Sequence, residues 1–284
     1  MISGKTRVHG IFGYPVEHTF SPGMHNAAFK KISMDACYVA FPVHPEKLGD
    51  AMKAIIPLGL HGLNVTVPHK EKVMPFLNEL SEEARLIGAV NTIEVRDGKL
   101  VGHNTDGRGF IRSLKEEAGF KPKGKKFLII GSGGAARAIS FSLALAGAGQ
   151  IALRDVDSPK AEALVRDLRE KAGAHAISVG EDDISKHAAD ADCLINATPL
   201  GLKKTDPLPI RKEHILKKHL VCDLVYNPPE TPLLKASKTI GAQRLSGLGM
   251  LLYQGVIAFE IWTNKKAPVQ VMKSALARQI AARK

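Results

Sequence analysis

Short apolar runs alternate with amphipathic stretches over residues 7–105: VHGIFG, a helical pattern from 22 to about 32, CYVAFPV, another from 45 to about 56, and GLNVTVP. Runs of this length read as strands, and three-to-four-residue apolar spacing between them reads as helix. Helical patterns follow at 71–77 and 82–87, and NTIEVRDGKLVGHN then predicts a strand pair turning at Asp97-Gly98. A helix over GRGFIRSLKEEAG leads into the basic linker FKPKGKK. Beyond it KFLII is a continuous apolar run, as expected of a strand buried on both faces, and a glycine-rich turn opens a helix directly after it. Further runs at IALRD, CLINA and LVCDLV alternate with helical stretches, which predicts a doubly wound parallel sheet. The helices from about residue 249 have no strand left to feed. The expected architecture is therefore α/β throughout: a first domain of residues 1–106, with 249–284 packing back on it, and a second of residues 107–248.

Composition changes this picture little. Of 284 residues, 44% are hydrophobic and 24% charged, ordinary values for a soluble globular protein. No apolar run approaches the roughly 18 residues needed to span a bilayer, and MISGKTRVHGIFGYP lacks a signal core with a cleavage site, so a cytoplasmic protein with no membrane partner is expected. Cys37, Cys193 and Cys222 are odd in number and far apart, which suits neither a disulfide framework nor a metal site, and buried reduced thiols are expected. The net charge of +12 raises a nucleic-acid reading, but the basic residues lie in scattered pairs such as Lys30-Lys31, Lys203-Lys204 and Lys265-Lys266 without interleaved aromatics. A solvated basic surface that attracts small anions is expected instead, with a small-molecule substrate and no nucleic-acid partner. Oligomeric state is left open, a homodimer included.

Two stretches carry candidate chemistry. Gly131-Ser132-Gly133-Gly134-Ala135-Ala136 fits the G-x-G-x-x-G/A dinucleotide pattern of a Rossmann domain, with a strand before it and a helix after it. The first glycine permits a tight turn, the second lets amides approach a pyrophosphate, and the small third residue lets helix and strand pack closely. Asp155 follows about 20 residues later, where an acid accepts from adenosine ribose hydroxyls, and this favours NAD. A 2′-phosphate there meets a like charge, although Arg154 and Lys160 are near enough in sequence to offset it. The other stretch is NVTVPHKE, whose strand exit delivers Lys70; the bland reading is a solvated surface charge.

Taken with EHTFSPGMHN, GAVNT, GHNTDG, GSGGAARA, INATPLG, DLVYNPPETPLL and GLGMLLYQG, the chain resembles the shikimate dehydrogenase family over essentially its whole length. The resemblance implies reversible reduction of 3-dehydroshikimate to shikimate in aromatic amino acid biosynthesis, in a cleft between two domains, with NADP as the usual cofactor. It makes Lys70 and Asp106 the catalytic pair, and the chemistry agrees: hydride addition to a ketone leaves charge on oxygen, which needs a proton donor beside it. Asp106 reads equally as the N-cap of a helix beginning at Gly107. Thr19 and Ser21 are implied to hold the substrate carboxylate, and Thr66, Asn91, Tyr226 and Gln254 to contact carboxylate or ring hydroxyls. Blandly, Ser21 is an N-cap before a proline, Thr66 a strand residue, Asn91 a turn residue, and Gln254 an exposed position on an apolar helix. Glu82, Leu224 and Gly247 are implied neighbours of the nicotinamide, Glu82 reading also as a first-turn acid after Ser81.

Two departures stand out. The family's Ser-x-Ser clamp is Thr19-Phe20-Ser21 here, and its Asn-Arg-Thr, whose arginine recognises the 2′-phosphate, aligns without gaps on Asp155-Val156-Asp157; shifting the alignment puts Arg154 in the arginine's place. NADP and NAD therefore both stay open. One rival reading is an NAD-preferring quinate/shikimate dehydrogenase; another is a dinucleotide-sensing or nucleic-acid-binding protein without catalysis.

Overall fold

Three apolar runs near the N-terminus become β1 (Arg7–Gly13), β2 (Ala36–Pro42) and β3 (Leu60–Val65), parallel strands with β1 in the middle. Parallel neighbours need crossover connections, supplied here by α1 (Ser21–Lys31) and α2 (Leu48–Ala54). β5 (Thr92–Arg96) enters antiparallel beside β3, and β6 (Lys99–His103) returns along β5 through Asp97 and Gly98, both at positive φ (51° and 73°). The two-residue β4 (Glu79–Leu80), which no apolar pattern marks, runs parallel to β6 and completes the order β2-β1-β3-β5-β6-β4. In the computed structural model these strands belong to a unit comprising Met1–Thr105 and Gln254–Lys284; Asp106–Tyr253 form the other. Residues 2–203 and 205–282 are described, so Lys204 of the paired lysines and the last two residues of the C-terminal segment lie outside the described residues.

Local details depart from the sequence reading in three places. No α-helix forms over 71–77; turns lead to a single 3-10 turn at Met74–Phe76, because Pro75 cannot donate the backbone bond a helix needs there. The pattern from 45 to 56 splits likewise into a 3-10 turn at Pro45–Lys47 and α2. Ser21 is not an N-cap but the first residue of α1; Phe20 before it is already in the αR region, and the Thr19 hydroxyl accepts the Ser21 N–H at 3.2 Å. By contrast α3 (Glu82–Ile87) begins as read, with the Ser81 hydroxyl accepting the Ala84 N–H at 3.2 Å.

One face of this sheet packs Phe12, Leu63, Val65 and Ile93 against Met52, Ile55 and Val73. The C-terminal helix α10 (Val269–Ala281) packs along α1, where the Gln279 side chain donates to the Phe20 carbonyl at 3.1 Å. The preceding helix α9 (Gly247–Thr263) is divided between the units at Tyr253/Gln254, so that boundary falls inside a helix. Trp262 near its end donates to the Ile93 carbonyl at 2.9 Å and lies over Gly62, where an added Cβ would come within 2.5 Å of the indole.

The second unit opens with α4 (Asp106–Ala118), one residue before the expected start, so Asp106 is in the helix and not its N-cap. Then β7 (Lys126–Ile130), α5 (Gly134–Leu145), β8 (Gln150–Arg154), α6 (Ser158–Ala172), β9 (Ala176–Ser178), α7 (Ile184–Asp190), β10 (Cys193–Asn196), β11 (Leu220–Asp223), α8 (Pro232–Ile240) and β12 (Gln243–Ser246) follow, strand and helix alternating except between β10 and β11, where the expected helix is only a 3-10 turn at Lys212–His214. All its strands are parallel, in the order β12-β11-β10-β7-β8-β9, the doubly wound arrangement with its switch point between β7 and β10. β10 and β11 are buried along their whole length, which is why their sequences are apolar without alternation. Cys193 and Cys222 sit buried on these neighbours as free thiols hydrogen-bonded to each other, their sulfurs 3.6 Å apart; Cys37, on edge strand β2, is only half-buried, contrary to the expectation.

Gly62→Val forces the only tryptophan of the sequence off β3, and overpacking of this kind costs about 1–3 kcal/mol. Urea unfolding followed by Trp262 emission is expected to show a lower midpoint and a red-shifted folded baseline; an unchanged midpoint would remove the close approach as a constraint.

Candidate active site

In the first unit the end of β3 is held by a buried chain of side-chain hydrogen bonds. Tyr38 on β2 donates to Asn64 Oδ1 at 2.7 Å, and Asn64 donates to the Asn91 carbonyl and the Thr92 hydroxyl, both at 3.1 Å. Asn91 is buried, not an ordinary turn residue: its Oδ1 accepts the Thr105 N–H at 2.8 Å and the Thr92 hydroxyl at 3.0 Å. Burial, opposed by a hydrogen bond from Ser21, pushes the Tyr38 phenol well above its usual range, so it stays a neutral donor.

The chain leaves β3 through Thr66, which lies just outside the strand and donates its N–H to the Phe12 carbonyl at 2.9 Å. His69 is fully buried and its Nε2 lies 2.7 Å from the Val43 carbonyl, so that nitrogen carries the proton. Its backbone N–H reaches the Thr66 carbonyl at 2.9 Å, and the Lys70 carbonyl accepts the Val90 N–H at 2.8 Å. Lys70 is thus a half-buried side chain on a segment pinned at both backbone and imidazole, one rung from Asn91. Gln254 is buried, not exposed as its helix pattern allowed. Glu82 stands exposed at the start of α3, in this unit and not in the one with the glycine turn.

In the second unit Gly131 has φ +105°, and a Cβ there would come within 2.9 Å of the Ala197 backbone, so only glycine suits the position where the loops after β7 and β10 meet. Gly133 and Gly134 face open space, and the first N–H groups of α5 (among them Gly134, Ala135 and Ala136) have no intrahelical acceptor. That is the cradle a pyrophosphate fits. Asp155 accepts the Ser132 N–H at 2.7 Å, the Ser132 hydroxyl at 2.6 Å and the Asp157 N–H at 3.0 Å. A carboxylate has about four acceptor sites, so about one is left for a ribose hydroxyl. Burial alone would raise its pKa, but these three bonds and the charge of Lys160 outweigh it and hold the carboxyl below the usual range.

A cavity of about 710 Å³ runs from the glycine turn past Asp155 to Thr198, Leu208 and Arg211. Val156 is 94% exposed at its rim. Arg154 and Lys160 line it too, but both are engaged: Arg154 with Glu181 at 2.8 Å and Lys160 with Asp157 at 2.9 Å. Leu224 and Gly247 are brought into contact, since a Cβ on Gly247 would strike the Leu224 carbonyl. Tyr226 is half-buried on the same loop as Leu224. Asp106 is buried at the start of α4, and a Cβ on Gly107 would strike Ser142 of α5, so the helix carrying Asp106 is pressed against the helix that the glycine turn opens.

Known proteins share this arrangement. The family description "Shikimate dehydrogenase substrate binding domain" matches residues 11–93, and "Shikimate 5'-dehydrogenase C-terminal domain" matches 247–277. A shikimate dehydrogenase (NADP(+)) of Desulforamulus reducens is 50% identical, covering 99% of this chain and 98% of its own. The chain belongs to the shikimate dehydrogenase family. A crystal structure of a shikimate dehydrogenase in complex with NADP+ has a TM-score of 0.92 at 43% identity, covering 99% of this chain and 98% of that one. A shikimate 5-dehydrogenase of Listeria monocytogenes, in complex with shikimate and NAD, has a TM-score of 0.91 at 38% identity, covering 96% and 97%.

Tyr38, Asn64, His69 and Asn196 were missed as site-building residues of this family member. The signal for Asn64 and Asn196 was present: a polar amide at the end of an otherwise apolar strand. Asn196 donates to the Leu200 carbonyl at 2.9 Å and to Asp223 at 2.8 Å while accepting from Thr198 at 2.7 Å, so it shapes the cavity wall at 197–200. Burial raises the Asp223 carboxyl despite its bonds from Thr231, Asn196 and Val225.

Because the folded pKa of Asp155 is depressed, its stabilising effect is present above the ordinary carboxylate range near 4 and is lost as pH falls through the lower folded value. The difference in melting temperature between wild type and Asp155→Asn is expected to be full at pH 6 and to shrink toward pH 3. A difference independent of pH would mean that the carboxylate's charge is not what Ser132 and Asp157 hold.

Proposed function

We propose that this chain catalyses the reversible reduction of 3-dehydroshikimate to shikimate with a nicotinamide dinucleotide, NADP or NAD, as a cytoplasmic enzyme of aromatic amino acid biosynthesis. The observation that carries the reading is full-length identity of 50% to a shikimate dehydrogenase, with the quoted motifs of both halves present in one chain. The partner is a small molecule, and the second reading, an NAD-preferring quinate/shikimate dehydrogenase, is less favoured by relatives that are named for NADP(+).

The dinucleotide, when bound, supplies the hydride; the chain's residues do the rest. Lys70 is the proton donor to the oxygen that becomes a hydroxyl, and Asp106 is the second member of the catalytic pair. Three features support these roles: Lys70 is half-buried, its backbone is tied to Val90, and it follows a histidine anchored to Val43. Such support fixes the backbone from which the side chain extends, which narrows the positions its ammonium reaches. Thr19 and Ser21 hold the substrate carboxylate, and Thr66, Asn91, Tyr226 and Gln254 read its ring hydroxyls or carboxylate. Ser21 is buried beside Tyr38, so its hydroxyl is oriented rather than free to rotate in water. On the cofactor side, Gly131, Gly133, Gly134, Ala135 and Ala136 take the pyrophosphate and Asp155 the ribose, with Glu82, Leu224 and Gly247 toward the nicotinamide.

Lys70→Ala is expected to lower kcat by about 10²–10⁴, the usual contribution of a positioned acid, with the KM for shikimate changed little. A near-normal kcat would overturn the assignment. Assaying shikimate and quinate against NADP and NAD in all four combinations tests the overall reading; turnover of quinate with NAD comparable to that of shikimate with NADP would favour the second one.

A further inference from the structure

We propose that Glu181, through its ion pair with Arg154, sets the balance between the 2′-phosphorylated and the unphosphorylated nicotinamide dinucleotide in this chain. This rests on the nicotinamide reading above and concerns a residue outside the glycine turn and the loop after β8.

The two dinucleotides differ only in a phosphate of about −1.5 to −2 charge at the adenosine ribose, so selectivity is an electrostatic question at the cavity end where Asp155 stands. The gapless counterpart of the family's phosphate-binding arginine is Val156, which has no charge to offer. The guanidinium in the neighbourhood is that of Arg154, at the end of β8 and lining the same cavity. Its Nη2 and Nε both donate to Glu181 Oε2, at 2.8 and 3.3 Å. Glu181 lies between β9 and α7 and lines the cavity as well.

The two partners are unequal. Arg154 is 17% exposed and Glu181 58%, so the arginine is the fixed member and the glutamate the one able to swing into solvent. A further cation, Arg211, and the imidazole of His214 line the cavity near Glu181, Arg211 lying 3.9 Å from Glu213, and Lys160 faces it from α6 while paired with Asp157. A carboxylate set among Arg154, Arg211 and His214 occupies the place where a phosphate gains most. With Glu181 in place, a 2′-phosphate meets two acids, Asp155 and Glu181, and an arginine whose fork is taken. With Glu181 displaced, the same phosphate meets Arg154 in the bidentate geometry guanidinium favours. The unphosphorylated dinucleotide needs only Asp155 and is indifferent to Glu181.

The test is fluorescence titration of NADPH and NADH binding to wild type, Glu181→Gln and the double variant Arg154→Ala/Glu181→Gln, each checked for an unchanged far-UV spectrum. Glu181→Gln is expected to tighten NADPH about tenfold, the value of one hydrogen bond to a charged group, and to leave NADH within about twofold. The double variant is expected to lose that gain while retaining NADH binding, which also shows that it is folded. Equal effects on both dinucleotides, no effect on either, or a gain that survives loss of Arg154 would each overturn the proposal while leaving the nicotinamide reading intact. Failure of the wild type to bind either dinucleotide would overturn both.

Discussion

Buried amides and hydroxyls at the junction of β3 and β5 must all find partners, because an unsatisfied polar group away from water costs about 1–3 kcal/mol. Tyr38, Asn64, Asn91, Thr92 and Thr105 answer that demand among themselves. The solution locks register: Asn64 sits opposite Thr92, and a slip of β3 by one residue would turn Asn64 to the other face and break its bonds. It also locks the exit of β3, since Val65 donates to Asn91 and Val90 donates to Lys70. The lysine that starts as a residue on a turn is therefore as well placed as one on a strand.

The second unit solves a different problem, presenting free backbone N–H groups where an anion would fit. Its device is backbone: a glycine at φ +105° turning beneath Ala197, and a helix N-terminus opening into space. Packing transmits the placement, because α4 can press against α5 only where Gly107 has no side chain, and Asp106 heads that helix. Ion pairs then occupy the charged groups around the cavity, so the net basic charge of the chain says little about which side chains are available to a ligand.

Much was legible in the sequence because its signals are local. Apolar runs identify buried strands, Asp97-Gly98 forms the predicted turn, and strand–glycine–helix order identifies the dinucleotide motif. Errors came where a local rule met a competing one. Pro75 broke a helical period, the helix read to be capped by Ser21 starts at Ser21 itself with no side-chain cap, and Gln254 on an apolar helix proved buried.

What the sequence determined by itself was the two-part α/β architecture, the glycine turn and the membership of the residues in one family, since periodicity and motif spacing are properties of neighbours along the chain. Only the tertiary structure decided which polar groups are partnered and by whom. Arg154 and Glu181 are 27 residues apart, as are Asn64 and Asn91, and no pattern along the chain announces such pairs. They are chosen by the sheet order, which places distant strands side by side and obliges whatever is buried between them to hydrogen-bond.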